Sequence, residues 1–568
     1  MMIEILQKRV VVLMLAFIAV SVVFGSEPVT FANPLDLDYR VRPEKNMKFR
    51  EGADPEIVVW ENRYWLFASK CGGYYVSDDL ATWEFIATSD LPLEEYAPTA
   101  WVMNGKLYFS SRGGTVHRAV DAAAGKWELL KERVPYTLDS KVFFKDGRLY
   151  NYWGGTTNQV PLWVCELNPE TFRRVGKNVP VCEMDDGRFG WDVRGDGNDL
   201  FDRPGYKEGA SMVERDGRYY FQYATPGTQF HSYCDVALTA PSPTGPFTRQ
   251  KINPFSIKPC GYVKGAGHGG TFRDLHGNWW HVTTCVISGV ERRIVLFPVF
   301  FTHDGEMWCD TSSADWPIAV PKCRSSDPED FRSHWMPLTF GKAVSVSSTA
   351  PGTDKSRLTD ENMRFCWSAK TGGSGEWARV DLGGVAEIRA VQIAFADAGD
   401  IEAWRAVGAF RRWRLEVSED GRTWRTAVDE SSAKNDADHC YRVLPEPVRA
   451  SALRVVCEGV PAGALFALRE IRAFGRMGSV VPSVPGRPLV VRDAEDRRIA
   501  RISWSVADGA EGYLLRYGPS RDKMHISLMV RGACEAQVRS LDARHEYVWA
   551  VEAFNAAGRS ALSESVQK

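Results

Sequence analysis

A polar turn followed by an aromatic strand recurs five times between residues 61 and 280, and such a repeat dictates a fold made of alike hairpins set around a common centre. The copies read Glu61-Asn62-Arg63-Tyr64-Trp65, Asn104-Gly105-Lys106-Leu107-Tyr108, Asp146-Gly147-Arg148-Leu149-Tyr150, Asp216-Gly217-Arg218-Tyr219-Tyr220 and His276-Gly277-Asn278-Trp279-Trp280. With the copies aligned on the second turn residue, Asp54, Asp139 and Glu208 stand eight or nine positions upstream in copies one, three and four. Ala97-Pro98 holds that place in copy two and His268 in copy five. Turn positions 62, 105 and 147 are spaced like four-stranded blades of roughly 40–45 residues. The wider gaps to 217 and 277 leave room for inserted loops. The expectation is an all-β chain that opens with a five-bladed β-propeller over residues 33–320. Its repeats aim three carboxylates at one axis.

The 568 residues exceed what one hydrophobic core organises, so further domains are expected. A second all-β unit spans 337–476, with strand-like runs at Glu376 to Gly383, Arg414 to Ser418 and Leu453 to Val456. A short Pro/Ser linker from Met477 to Gly486 leads to a third set of short strands over 487–568, spaced as in a small sandwich. Charge is nearly balanced, 70 basic against 72 acidic residues, which gives no electrostatic reason to expect nucleic acid or an anionic membrane surface as partner. Lys8-Arg9, the apolar run from Val10 to Phe24, and Val23 and Gly25 at the −3 and −1 positions read as a signal peptide over 1–25. A secreted or periplasmic chain with no membrane span after cleavage follows. The chain has 12 cysteines and no C-x-x-C pair, so zinc is poorly supported and disulfide pairing stays open. The Asp-rich stretch Gly190 to Asp199 lacks the Glu that would close an EF-hand-like loop and is read as a solvated insertion.

Three carboxylates around one channel supply what inverting glycoside hydrolysis needs. One acts as a base that activates water, one as an acid that protonates the leaving oxygen, and one as a negative charge that raises the acid's pKa. The order of short motifs points the same way. They are Asn33-Pro34, Gly52-Ala53-Asp54-Pro55, Ser77-Asp78-Asp79-Leu80 leading to Trp83, Tyr96-Ala97-Pro98, Leu138-Asp139, Glu208-Gly209-Ala210, Gly267-His268-Gly269, and the strand from Arg293 to Phe300 before Asp304-Gly305. In this order and phase they resemble glycoside hydrolase family 43, a five-bladed propeller family of mostly arabinose- and xylose-releasing enzymes. The resemblance covers about 33–320. It implies Asp54 as general base, Glu208 as general acid, and Asp139 as the residue that tunes the acid and orients the sugar. Tyr96, Trp191, His268 and Arg293 are the expected pocket walls and positioning groups. Two departures stand beside the carboxylates: Ala210 where the family usually has Pro, and Tyr96-Ala97-Pro98-Thr99 where it usually has Trp-Ala-Pro-Asp. Both put the sugar preference in question.

Trp377 to Gly383, Ser418 to Trp424 and Leu468 to Gly475 give residues 337–476 a resemblance to a factor 5/8 C-type (discoidin) domain, a jelly-roll-like β-sandwich that implies a carbohydrate-binding module. Residues 487–568 resemble a fibronectin type III module through Trp504, Tyr513, Leu541 six residues before Tyr547, and Val551 to Gly558. That resemblance implies a spacer that docks its neighbours. The functional expectation is an exported inverting glycosidase of the α-L-arabinofuranosidase, β-xylosidase or β-D-galactofuranosidase type, with carbohydrate as its partner. The alternative is a non-catalytic, lectin-like glycan binder. No cofactor is required, and calcium in the propeller channel near His268 is the one structural metal considered. The terminal sugar, exo or endo action and the oligomeric state stay open.

Overall fold

Four of the five repeat turns hold both central residues at positive φ: Glu61 and Asn62, Asn104 and Gly105, Asp146 and Gly147, Asp216 and Gly217. This is the two-residue type I′ geometry, whose twist matches that of the strands it joins. Each closes a hairpin, with Trp60 opposite Arg63, Met103 opposite Lys106, Lys145 opposite Arg148 and Arg215 opposite Arg218. The fifth copy departs from the pattern. There Arg273 pairs with Trp279 across a longer loop, and Asp274 Oδ1 accepts the amides of His276 and Asn278 to hold it.

The structure is a computed structural model that describes residues 28–568 apart from 136–137, 156–161, 183–186 and 407. The expected signal peptide therefore lies outside the described residues. What is described is nearly all β; one short α-helix, Ile401–Arg405, occurs among the described residues. The hairpins grow into five antiparallel sheets. The first is Ala53–Trp60, Arg63–Ser69, Gly73–Ser77 and Glu84–Ala87, and the second is Thr99–Met103, Lys106–Ser110, Thr115–Asp121 and Lys126–Arg133. The third is Lys141–Lys145, Arg148–Trp153, Leu162–Leu167 and Arg174–Cys182. The fourth is Glu208–Arg215, Arg218–Thr225, Cys234–Ala240 and Thr248–Arg249, with Ser256–Ile257 added beside its third strand. The fifth is Gly267–Arg273, Trp279–Ser288, Glu291–Phe301 and Met307–Cys309. Neighbouring first strands touch in a closed cycle, the fifth returning to the first. Their beginnings therefore surround one axis. Thr30–Phe31 pairs with Ile318–Ala319 and ties the start of this region to its end.

Beyond it lies an eight-stranded sheet centred on the long strands Trp377–Phe395 and His439–Gly459. A third unit follows, with a sheet of Leu489–Arg492, Ala500–Ser503 and Glu535–Val538. Its second, five-stranded sheet is built around Gly512–Gly518 and Val548–Asn555. Neither unit hangs free. Phe189, Trp191, Phe221 and Tyr223 share one apolar core with Trp504, Tyr513, Tyr517 and Trp549 of the third unit. The second unit is held by buried charge instead. Arg50 reaches Asp397 and Asp436, and Arg293 donates from Nε (3.0 Å) and Nη2 (2.6 Å) to Asp438. Among the described residues no disulfide is formed, and no helix is long and apolar enough to cross a membrane.

A buried ion pair adds little net stability when intact, but removing one partner strands the other charge at a cost of about 3–5 kcal/mol. Asp438→Ala is therefore expected to lower the unfolding free energy by about that amount, read as a fall in the urea midpoint. A loss under about 1 kcal/mol would show that the Arg293–Asp438 pair does not join the units.

Candidate active site

The first strands of the first, fourth and fifth sheets each carry a bulge where they begin, between Ala53 and Glu56, Glu208 and Ser211, and Gly267 and Gly270. A residue at positive φ sits in each: Asp54, Gly209 and His268. Ala97 and Asp139 adopt the same backbone just ahead of the second and third inner strands. Each repeat thus opens on one left-handed residue. For an L side chain that costs roughly 1–2 kcal/mol, least for Asp and His among those used here. A bulge re-aims the side chain it carries. Here the result gathers Asp54, Asp139, Glu208 and His268 into one electrostatic group.

Asp54 is buried and fully engaged. Its Oδ1 lies 3.1 Å from Arg292 Nη1 and 3.2 Å from His268 Nδ1, and its Oδ2 accepts the Ser69 hydroxyl at 2.7 Å. Its own amide donates to Thr284 Oγ1 at 2.9 Å. Burial works against its charge, but Arg292, His268, the Ser69 hydroxyl and the Ala97 amide outweigh it. They hold Asp54 below the ordinary carboxylate value. Arg292 is itself fixed by Glu51 (Nε to Oε1, 3.0 Å) and Thr228 (2.9 Å), and Glu51 is shared with Arg42.

Glu208 goes the other way. Burial first, and the charge of Asp139 second, push it up to about 7, against the opposing pull of His268 and of the Tyr233 hydroxyl that donates to Oε1 at 2.9 Å. Burial and then Asp54 also raise Asp139, although His268, Arg112 and Arg292 pull against them. His268 is raised overall: burial disfavours its charged form, yet Asp54, Asp139 and Glu208 together prevail. Its backbone is pinned from behind, where Asp235 accepts the His268 amide at 2.8 Å and pairs with His281 at 2.8 Å. Two carboxyl groups in one site are thus driven apart in pKa, one ionised and one poised to give a proton near neutrality.

The other expected site residues divide. Tyr96 is at the site, its hydroxyl accepting from Arg42 at 3.2 Å and its ring beneath Lys70 at 4.3 Å. Trp191 is not a pocket wall. It is 2% exposed and stacks on Phe189 at 4.6 Å within the core shared with the third unit. Arg293 is turned away from the carboxylates towards Asp438, and Arg292 takes the position beside Asp54. Successive side chains of a strand point to opposite faces, and Arg292-Arg293 offers the same residue to both faces, so composition cannot tell which one enters the site. Tyr233, Ser69 and Glu51 also belong to the site; each acts through contacts across the fold that no spacing encodes. Of the two departures noted above, Ala210 is buried in core, and Thr99 accepts the Val142 amide at 3.0 Å, linking the second and third inner strands.

Among the described residues no group of three or more His, Cys, Asp or Glu side chains is placed to hold a metal. Two residues along the inner strands from Asp54 and Asp139, Glu56 pairs with Lys141. A buried ammonium there already balances the carboxylate that a cation would seek.

Residues 49–307 match the model of the glycosyl hydrolases family 43, and residues 342–471 match that of the F5/8 type C domain. Beta-D-galactofuranosidase xynD of Aspergillus niger is 26% identical over 237 residues, 34% of this chain and 63% of that protein. A xylosidase/arabinosidase of Butyrivibrio fibrisolvens is 28% identical over 239 residues, 36% of this chain and 42% of that protein. The chain thus spans less than two thirds of the length of either relative. A solved structure described as a glycoside hydrolase is similar with a TM-score of 0.43 and 21% identity, covering 75% of this chain and 98% of the other.

Gly209 stands at φ +65°, and a Cβ there would lie 2.7 Å from the His268 ring. Gly209→Ala is expected to cost at least about 1–2 kcal/mol, measured by thermal unfolding. An unchanged melting temperature would show that the ring and strand are not packed as described.

Proposed function

We propose that the chain is an exported glycoside hydrolase that releases a terminal sugar with inversion of configuration, with the five sheets as the blades of a propeller. The observation that carries this reading is the opposed displacement of Asp54 and Glu208. Asp54, kept ionised by Arg292, takes a proton from water as the water oxygen attacks the anomeric carbon. Glu208, kept protonated to about pH 7 by burial and by Asp139, gives its proton to the leaving oxygen as the glycosidic bond breaks. His268 and Tyr233 fix the two carboxyls in place. A glycan binder without chemistry would leave that opposition without a use. The names of the two relatives support arabinofuranose, xylose or galactofuranose as the sugar released. The cycle of inner strands supports the propeller. The Tyr547 hydroxyl, accepting the Asp542 amide at 2.9 Å, supports a fibronectin type III-like third unit with a tyrosine corner.

The test is turnover of 4-nitrophenyl α-L-arabinofuranoside, β-D-xyloside and β-D-galactofuranoside. One of them is expected to be cleaved; Asp54→Asn is expected to lower kcat on it by roughly 10²–10⁴-fold, and Glu208→Gln to do so on the methyl glycoside of the same sugar, whose alkoxide leaves only with a proton. Turnover of none, or rates indifferent to both substitutions, would end the assignment.

The pH profile gives a second check. Activity needs protonated Glu208, so kcat/KM falls as pH rises through about 7. Asp139→Asn removes the negative charge that raises Glu208, so the alkaline limb moves to lower pH. A limb that stays in place or moves up would show that Asp139 does not tune the acid.

A further inference from the structure

A cleft lies beside the segment that leads into Glu208. It is walled by Phe189, Asp192, Leu200, Phe201 and Gly205 of the longest inserted loop and by Arg498 of the third unit, around a volume of about 410 Å³. Gly205 is three residues before Glu208, and three peptide steps span at most about 11 Å. One wall of the cleft therefore stands within about 11 Å of the Glu208 backbone.

The walls are held by the rest of the chain. The Gly190 amide donates to Leu541 O at 2.8 Å and the Ala543 amide to Arg188 O at 3.1 Å, so the third unit pairs with the loop through main-chain bonds. Arg194 forks onto Asp202 at 2.7 and 2.8 Å. Lys207, next to Glu208, lies 3.1 Å from Asp192 in the cleft wall. Arg364 of the second unit reaches Asp196 at 2.9 Å. On this fixed frame two large apolar side chains stay outside every core: Leu200 is 46% exposed and Phe201 60%. The Arg498 guanidinium, held by Asp496 and by Gly187 O, stands 5.4 Å from the Phe201 ring.

Acid and base act on opposite sides of the scissile bond, so whatever is attached to the leaving oxygen extends past Glu208 and away from Asp54. The Asp54 side is closed by Arg292, Glu51, Arg42 and Tyr96. A sugar chain offers a flat apolar face and an edge of hydroxyls. An exposed ring beside a guanidinium and the carboxylate of Asp202 complements both. We propose that this cleft binds the leaving-group end of an oligosaccharide substrate, and that the third unit takes part in recognition through Arg498. The proposal rests on the reading of Glu208 as the acid.

The experiment compares the wild-type chain with Phe201→Ala and Arg498→Ala in two measurements. In the first, kcat/KM is measured on methyl α-L-arabinofuranoside, whose leaving group is too small to enter the cleft, and on arabinofuranosyl-xylotriose. Both variants are expected to match the wild type on the methyl glycoside and to fall about tenfold on the oligosaccharide, through KM. In the second, calorimetric titration with xylotriose alone needs no turnover, and about tenfold weaker binding by both variants is expected, which is about 1.4 kcal/mol. Equal xylotriose affinity in all three proteins, or no affinity in any, overturns the proposal. A failure of the carboxylate assignments shows separately, as a methyl glycoside rate that Glu208→Gln does not change.

Discussion

The opposite facing of neighbouring side chains at two short stretches, Arg50-Glu51 ahead of the first inner strand and Arg292-Arg293 within the strand Glu291–Phe301, is the constraint on which the rest of the structure depends. In each stretch one side chain faces the site and its neighbour faces the second unit. Glu51 and Arg292 bond each other and hold Asp54. Arg50 and Arg293 run to Asp397, Asp436 and Asp438, and Arg293 Nη1 also caps Arg50 O at 2.7 Å. The clamp on Asp54 and the clamp between units are therefore opposite faces of the same backbone. A shift of one residue in the strand of Arg292 and Arg293 would exchange their partners. The second unit is part of the frame that positions the carboxylates, whatever else it binds.

The site itself is a division of charge. Arg292 and His268 lie against Asp54, while Glu208 has Asp139 as its charged neighbour and a single phenolic hydroxyl as its donor. Asp54, Asp139 and His268 come from the left-handed place in their repeats and Glu208 from the residue just before it, and their different environments come from what each neighbouring loop supplies. Asp235 and His281, behind His268, and Gly209, beneath its ring, keep the imidazole between the two acids. Left-handed backbone at Asp54, Asp139 and His268 stores a small strain, and the ion pairs and hydrogen bonds around the site offset it.

The repeat made a good part of this legible in advance. Asn-Gly and Asp-Gly turns encode their own geometry because few residues accept positive φ twice in succession. Residues eight or nine positions ahead of those turns fall at the same end of each inner strand, so the sequence groups Asp54, Asp139, Glu208 and His268 even though Glu208 stands one residue out of phase. Contacts across the fold were not legible. Trp191 sits on a long loop that precedes Glu208, and nothing in that stretch shows that its ring is covered. Its burial depends on the third unit, some hundreds of residues away, covering that loop. Two adjacent arginines give no signal of phase, so the sequence does not separate Arg292 from Arg293. The Glu56–Lys141 pair has no motif at all, since it joins residues from two different repeats.

The account stands or falls on water being the nucleophile that Asp54 activates. Proton NMR of the reaction on the substrate that is cleaved, recorded in the first minutes before mutarotation, reads this directly. The account predicts that the first sugar to appear has the anomeric configuration opposite to that of the substrate. A first product with retained configuration would mean that a carboxylate attacks the sugar itself, and would contradict the roles given to Asp54 and Glu208.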